Sequence, residues 1–369
     1  MSLAGLSVPP PRAGRPGEPP IRLMIVDDSS VARAVLSRMV SAEPDFEVAA
    51  LAGSAVEALD ALTTVSVDIV LLDVEMPGGN GLEALPHILR AGDGARVLVV
   101  SSMAEDGAEV AVRALAQGAA DTLPKPGVNA FAGRFSEVLA DKLRRIGRAH
   151  RDPDRVVEAA PAPSFTLRDM PSAALGCVAV GASTGGLHAL LEFLRALPEP
   201  VGAPILVTQH LPATFMPFFA RQLEAASGRI ARVAEDGETP QADFILVAPG
   251  DAHLCVERIR KTVRVRLDRS KAPSGCLPSV DPMLTSVGKA YGAGGLGIVM
   301  SGMGRDGALG SRALVETGGA MLVQDRESAS IWGMPRAVAE AGLASAVLPP
   351  QQLARRVALR AGGGGGSWK

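Results

Sequence analysis

The sequence predicts an α/β protein with two parallel sheets, and three observations predict it. Short apolar runs recur along the chain, each followed by a helix-compatible stretch. Val, Leu, Ile and Ala carry the apolar content, aromatic residues making up only 3%, and such composition suits strands buried on both faces. The 369 residues exceed one ordinary core and fit two domains joined by a linker.

Residues 1–20 carry repeated Pro, Gly and Arg without a continuous apolar stretch. A disordered lead-in is expected there, neither signal peptide nor membrane anchor. From residue 21 to 147, strands are expected at Ile21–Val26, Val48–Ala52, Ile69–Leu72, Val97–Val100 and Asp121–Leu123. Five such βα units imply a five-stranded doubly wound parallel sheet. Residues 148–174, rich in Arg, Asp, Pro and Ala, are read as a linker. From 175 to 348 the alternation resumes, with strands expected at Cys177–Val180, Ile205–Thr208, Phe244–Ala248, Leu296–Met300 and Ala320–Val323. The alternating, charged stretch Val256–Leu267 predicts an antiparallel hairpin beside a mostly parallel sheet. Residues 349–369 should hold a helix remnant and a flexible tail, since the glycine run Gly362–Gly366 has no means of packing.

Bulk composition excludes several function classes. A formal net charge of −2 gives no electrostatic reason to expect nucleic acid or insertion into an anionic membrane; the basic run Lys142–Arg151 reads as a solvated helix end. The three cysteines, Cys177, Cys255 and Cys276, are odd in number and lack metal-ligand spacing. They read as reduced thiols of a cytoplasmic protein.

In an open parallel sheet, ligands bind at the carboxyl ends of the strands. Asp27, Asp28, Asp73, Ser101 and Lys125 each follow an expected strand of the first segment. Three carboxylates there form a hard oxygen site that suits Mg²⁺. Asp73 is the candidate nucleophile for an aspartyl phosphate, Lys125 its counter-ion and Ser101 a hydroxyl for the phosphoryl oxygens. Any one of these aspartates alone is as readily a helix cap; their convergence on one edge argues for chemistry. The motifs IVDDSS, LLDVEMP, VVSS and PKP, in this order, resemble the flavodoxin-like receiver domain of two-component response regulators. The resemblance implies phosphorylation of Asp73 by a histidine kinase, with Asp27 and Asp28 as metal ligands beside Asp73 and the backbone carbonyl of Glu75. Two positions depart from the family pattern: Asn80 stands where an acidic residue is usual, and Thr122 where an aromatic often serves as a switch.

In the second segment, the run Cys177–Val180 enters Gly181-Ala182-Ser183-Thr184-Gly185-Gly186, so Ser183 falls on a tight strand-to-helix turn that exposes a nucleophile. Such a glycine-rich turn also suits an anion cradle, although the Lys-Ser/Thr pair of a P-loop is missing. A serine needs a base on the same sheet edge. His210 closes the next expected strand and is preferred; His253 is the alternative, His188 lies on the helix after the nucleophile, and His87 and His150 fall outside the segment. Asp306, among the glycines of SGMGRDG, is the orienting carboxylate, with Asp281 of PSVD competing. The backbone N–H groups of Met303 and Thr184 are oxyanion donors in this reading. The order Ser, His, Asp differs from that of the α/β-hydrolases.

GASTGG, QHLP, VAEDGE, APGDAHL, PSVD, SGMGRDGALG and QDRESASIWGMP, in this order, resemble the catalytic domain of the chemotaxis protein-glutamate methylesterase family. The resemblance implies a serine hydrolase under phosphorylation control that removes methyl groups from glutamate γ-methyl esters of methyl-accepting chemotaxis receptors, with Ser183, His210 and Asp306 as triad, Met303 at the oxyanion hole and no cofactor in the esterase site. It also implies deamidation of receptor glutamines. Met216 and Ser301 depart from the usual pattern. The rival reading is a response regulator whose second domain only binds a partner.

Overall fold

The computed structural model describes residues 19–76, 81–101, 105–125, 132–150 and 165–362. The proposed departure at Asn80, most of the lead-in, part of the linker and most of the glycine tail lie outside the described residues. Two compact units make up the chain, residues 1–103 with 122–152 and residues 104–121 with 153–369.

The first unit is built on β1 (Ile21–Val26), β2 (Phe46–Ala52), β3 (Ile69–Asp73), β4 (Arg96–Ser101) and β5 (Asp121–Pro124), with the helices α1 (Ser30–Ser41), α2 (Ala55–Leu62), α3 (Gly81–Ala91) and α5 (Ala132–His150). The remaining helix of the βα alternation, α4 (Glu105–Ala116), belongs to the second unit. Sheet order is β2-β1-β3-β4-β5, and β1 pairs in parallel with β2 and β3, as β3 does with β4. All five residues of β3 are buried, which is why it reads as an unbroken apolar run. The order reverses direction between β1 and β3, and the crevice at such a switch point is where ligands bind. Gly81, the first residue of α3, packs against that crevice: a Cβ there would fall 2.3 Å from the Asp73 carbonyl oxygen.

The second unit holds a seven-stranded sheet of order β14-β13-β12-β6-β7-β9-β8. Its strands are β6 (Cys177–Ala182), β7 (Ile205–Gln209), β8 (Ala231–Val233), β9 (Ile245–Val247), β12 (Gly295–Val299), β13 (Ala320–Gln324) and β14 (Ala346–Leu348), and every pairing is parallel. β10 (His253–Ile259) and β11 (Thr262–Asp268) form the expected antiparallel hairpin as a separate two-stranded sheet. The helices are α6 (Gly186–Ala196), α7 (Met216–Ser227), α8 (Val280–Tyr291), α9 (Ala308–Glu316), α10 (Met334–Glu340) and α11 (Pro350–Ala361). The segment read as a helix remnant is a full helix, α11, which buries Leu353, Ala354 and Val357. The expected apolar strands all form, Ile21–Val26 with the expected bounds and the others with ends displaced by at most two residues. The short β8 and β14 were not foreseen.

Two close approaches fix the site. A Cβ on Gly181 of β6 would sit 2.3 Å from Val280 at the start of α8, and one on Gly310 of α9 would sit 2.5 Å from the Asp281 carbonyl oxygen. Only glycine lets α8 lie that near both the central strand and α9, carrying Ser279, Val280 and Asp281 to the sheet's carboxyl edge. Among the described residues no helix is long and apolar enough to cross a membrane.

Candidate active site

Three adjacent strands, β12, β6 and β7, end at one point. β6 delivers Ser183, β7 delivers His210, and the loop after β12 delivers Asp306. Ser183 sits one residue past the strand, where its N–H donates to the Ser301 carbonyl at 3.0 Å and its own carbonyl accepts from Gly186 N–H at 2.8 Å and from Gln209 Nε2 at 2.9 Å. The turn is closed by Gly185 at φ +71, a left-handed conformation that glycine adopts without strain.

The Ser183 Oγ lies 3.0 Å from His210 Nδ1, and His210 Nε2 lies 2.8 Å from Asp306 Oδ2. The three side chains sequence reasoning singled out are thus one hydrogen-bonded series, with Nδ1 turned to the serine and Nε2 to the carboxylate. Asp306, 3% exposed, is held from every side. Its Oδ1 accepts from Ser279 Oγ at 2.7 Å, from Gly307 N–H at 3.1 Å and from Asp281 N–H at 3.3 Å, and its Oδ2 also accepts from Val280 N–H at 2.8 Å.

This environment separates the charges. Burial opposes charge on both partners, yet the mutual bond between Asp306 and His210, with the backbone N–H groups, holds the Asp306 carboxyl below the usual carboxylate range. On His210, burial is outweighed by Asp306 and by the Cys276 thiol, and the imidazole pKa rises to about 9.

Asp281, the competing carboxylate, does not touch His210. Its backbone N–H supports Asp306, its Oδ1 accepts from Gly310 N–H at 2.7 Å, and burial followed by the Asp306 charge raises its pKa to about 7. His253, the alternative base, is fully buried one step behind: its Nδ1 accepts from Ser279 N–H at 2.9 Å, and its Nε2 donates to the Ser270 carbonyl at 2.8 Å. Both ring nitrogens are committed, which fixes one neutral tautomer. His253 therefore orients the serine that orients Asp306. His188 is exposed on α6.

Gly302 opens the space beside Ser183, since a Cβ there would lie 2.9 Å from the Ser183 Cβ. Among the described residues neither Thr184 N–H nor the N–H of Met303, which follows Gly302, has a protein acceptor. Unpaired backbone donors beside a nucleophile are what an oxyanion requires. Ser301, one of the family departures, donates from Oγ to the Thr184 carbonyl at 2.9 Å, bracing the turn. Met216, the other, is buried at the start of α7. Sequence reasoning missed Ser279 and Cys276; the PSVD motif contained the one, and nothing in the spacing flagged the other.

In the first unit, Asp27 follows β1 and Asp73 ends β3, both buried, while Asp28 is exposed. Lys125 Nζ lies 2.6 Å from Asp73 Oδ2 and 3.8 Å from Asp27 Oδ2. Burial would lower the Lys125 pKa, but its bond to Asp73 raises it. Burial, with the neighbouring Asp73, raises that of Asp27. Carboxylate oxygens of Asp27, Asp28 and Asp73 all lie within 4.8 Å of one another, and among the described residues Asp27 Oδ2 is buried without a hydrogen-bond partner. An orphaned carboxylate oxygen in an acidic triplet fits a hard cation. Ser101 Oγ, fully buried, likewise lacks a hydrogen-bond partner among the described residues. Glu75 N–H donates to Asp73 Oδ1 at 3.0 Å, and Thr122 is buried.

Known protein families match the chain in two segments. Residues 178–357 match the family described as CheB methylesterase, and residues 23–130 match the response regulator receiver domain. The chain is 40% identical to protein-glutamate methylesterase/protein-glutamine glutaminase 2 of Caulobacter vibrioides, the match covering 92% of this chain and 99% of that protein. It is 37% identical to protein-glutamate methylesterase/protein-glutamine glutaminase 1 of Paramagnetospirillum magneticum, over 92% and 96% of the two chains. A protein of Azospirillum brasilense with the same description is 37% identical, over 97% and 98%.

Proposed function

The chain belongs to the protein-glutamate methylesterase/protein-glutamine glutaminase family, and on that premise we propose that it hydrolyses glutamate γ-methyl esters of chemoreceptors under the control of phosphorylation at Asp73. The observation that carries the reading is the series Ser183 Oγ, His210 Nδ1, His210 Nε2 and Asp306 Oδ2, at 3.0 and 2.8 Å. His210 Nδ1 takes the hydroxyl proton as Ser183 Oγ attacks the ester carbonyl. The N–H groups of Met303 and Thr184 receive the oxyanion, and Asp306 stabilises the imidazolium through Nε2. The tetrahedral adduct breaks its C–O bond to the methoxy group, His210 returns the proton, and methanol leaves. Water, deprotonated by the same imidazole, then hydrolyses the glutamyl ester of Ser183 to the free carboxylate. An amide substrate follows the same course with ammonia leaving, which is the deamidation that the relatives' names describe.

In the receiver, Asp73 accepts the phosphoryl group from the phosphohistidine of a kinase, its oxygen bonding to phosphorus as the P–N bond breaks. Lys125 offsets the charge and Ser101 Oγ donates to a phosphoryl oxygen. Asp28, Asp73 and the Glu75 carbonyl, with Asp27 beside them, would hold Mg²⁺. When bound, Mg²⁺ supplies positive charge that screens the carboxylates from the incoming phosphate. Three free cysteines support a reducing compartment, the cytoplasm.

The test is methanol release from methylated receptor fragments by the wild type and by Ser183→Ala. Release by the wild type alone is the expected result. A wild type that releases none overturns the assignment.

A further inference from the structure

Cys276 stands in the loop before α8, half-buried, and the proposed hydrolysis does not use it. Its Sγ, a ring nitrogen of His210 and a carboxylate oxygen of Asp306 all lie within 4.8 Å of one another. The chain thus gathers a thiol, an imidazole and a carboxylate around one point beside the nucleophile. Three such ligands with a fourth position open is the donor set that Zn²⁺ takes in accessible sites. Metal-ligating carboxylates are themselves anchored by hydrogen bonds, and Asp306 is anchored by Ser279 Oγ and by the N–H groups of Val280, Asp281 and Gly307.

We propose that Cys276, His210 and Asp306 form an inhibitory binding site for a thiophilic divalent cation of the Zn²⁺ class. The cation takes the place of the proton that His210 Nε2 shares with Asp306. Its ligands must be deprotonated, so the thiol and the imidazolium each release a proton to solvent, and the remaining ring proton stays on Nδ1. That nitrogen faces Ser183 Oγ at 3.0 Å. With its proton fixed there, His210 donates to the serine and is no longer a base. Thiolate ligation distinguishes this site from the acidic triplet Asp27, Asp28 and Asp73, which offers only hard oxygens. The other two thiols, Cys177 and Cys255, are buried.

Occupancy is independent of what the serine does; inhibition rests on the esterase reading. The experiment takes the full chain, stripped with EDTA, and titrates it with Cd²⁺ alone while recording the near-ultraviolet thiolate-to-metal charge-transfer absorption. Methanol release is then followed with increasing Zn²⁺. The wild type is expected to show one such band, saturating at one ion per chain, and to lose activity as Zn²⁺ binds. In Cys276→Ser and Cys276→Ala the band is absent, and the Zn²⁺ needed for half-inhibition rises by at least roughly 10- to 100-fold, the cost that losing even a hydrogen-bond partner of a metal ligand exacts. A wild type without the band, or a band that survives in both variants, overturns the site. Methanol release with no band overturns the site alone, whereas a band with no methanol release at any Zn²⁺ concentration overturns the esterase reading alone.

Discussion

At the scale of residues, the Ser183–His210–Asp306 series makes sharp demands. Ser183→Ala removes the proposed nucleophile while leaving the turn, and kcat should fall roughly 10⁴-fold or more, as when a triad serine is lost; methanol release measures it. His210 must shed its proton before it can act as base. Because Asp306 and Cys276 raise its pKa to about 9 against the burial that would lower it, kcat/KM should climb with pH above the ordinary imidazole value of about 6.5. A rising limb centred at or below that value would contradict this charge arrangement. Ser279→Ala takes away a donor to a buried carboxylate, a loss of about 1.5–3 kcal/mol. The change should appear as a drop in kcat with KM little altered, and a displaced pH limb would separate positioning from mere destabilisation. Much of this was legible in the sequence: Ser183 is bracketed by glycines at a strand end, and His210 and Asp306 follow neighbouring strands. The support behind them was not. His253 is the rival base and Asp281 the rival carboxylate in that reading, yet Asp281 lies one hydrogen bond behind Asp306 and His253 two, by way of Ser279, a relation set by the packing of α8 that no spacing encodes.

At the scale of elements, the central parallel strands were legible because they are buried on both faces and so appear as continuous apolar runs. β8 and β14 escaped notice because three-residue strands at the sheet's edges carry too little of that signal. The helix α8 depends on two glycines, Gly181 and Gly310, whose close approaches to it no sequence spacing shows. Gly310→Ala would press a Cβ to within 2.5 Å of the Asp281 carbonyl oxygen, so α9 must shift from α8. Overpacking of that kind costs about 1–3 kcal/mol. A lowered Tm is expected together with a disproportionate loss of kcat, because Asp281 and Val280 move with the helix. The terminal helix α11 should tolerate less than a remnant would: Leu353→Ala, at a fully buried position, should cost about 2–5 kcal/mol, readable by denaturant unfolding.

At the scale of the whole molecule, two sheets use one rule twice. Each places its chemistry at the carboxyl edge beside the strand where the chain reverses direction, between β1 and β3 in one unit and between β12 and β6 in the other. A small phosphodonor with Mg²⁺ should raise methanol release by the full chain, and Asp73→Asn should abolish that response; an unchanged wild-type rate would break the proposed link between the two sites. The second sheet carries a further consequence. Ser183, His210 and Asp306 ride on three neighbouring central strands, although Asp306 is 96 residues from His210 in the chain. A fragment that ends before β12 lacks Asp306 and cannot hold the complete site, and long-range parallel pairing is the slow part of folding. Ester cleavage is thus a gauge of assembly: when denatured protein is returned to native conditions, turnover should return only with the last phase, after the helical signal has recovered.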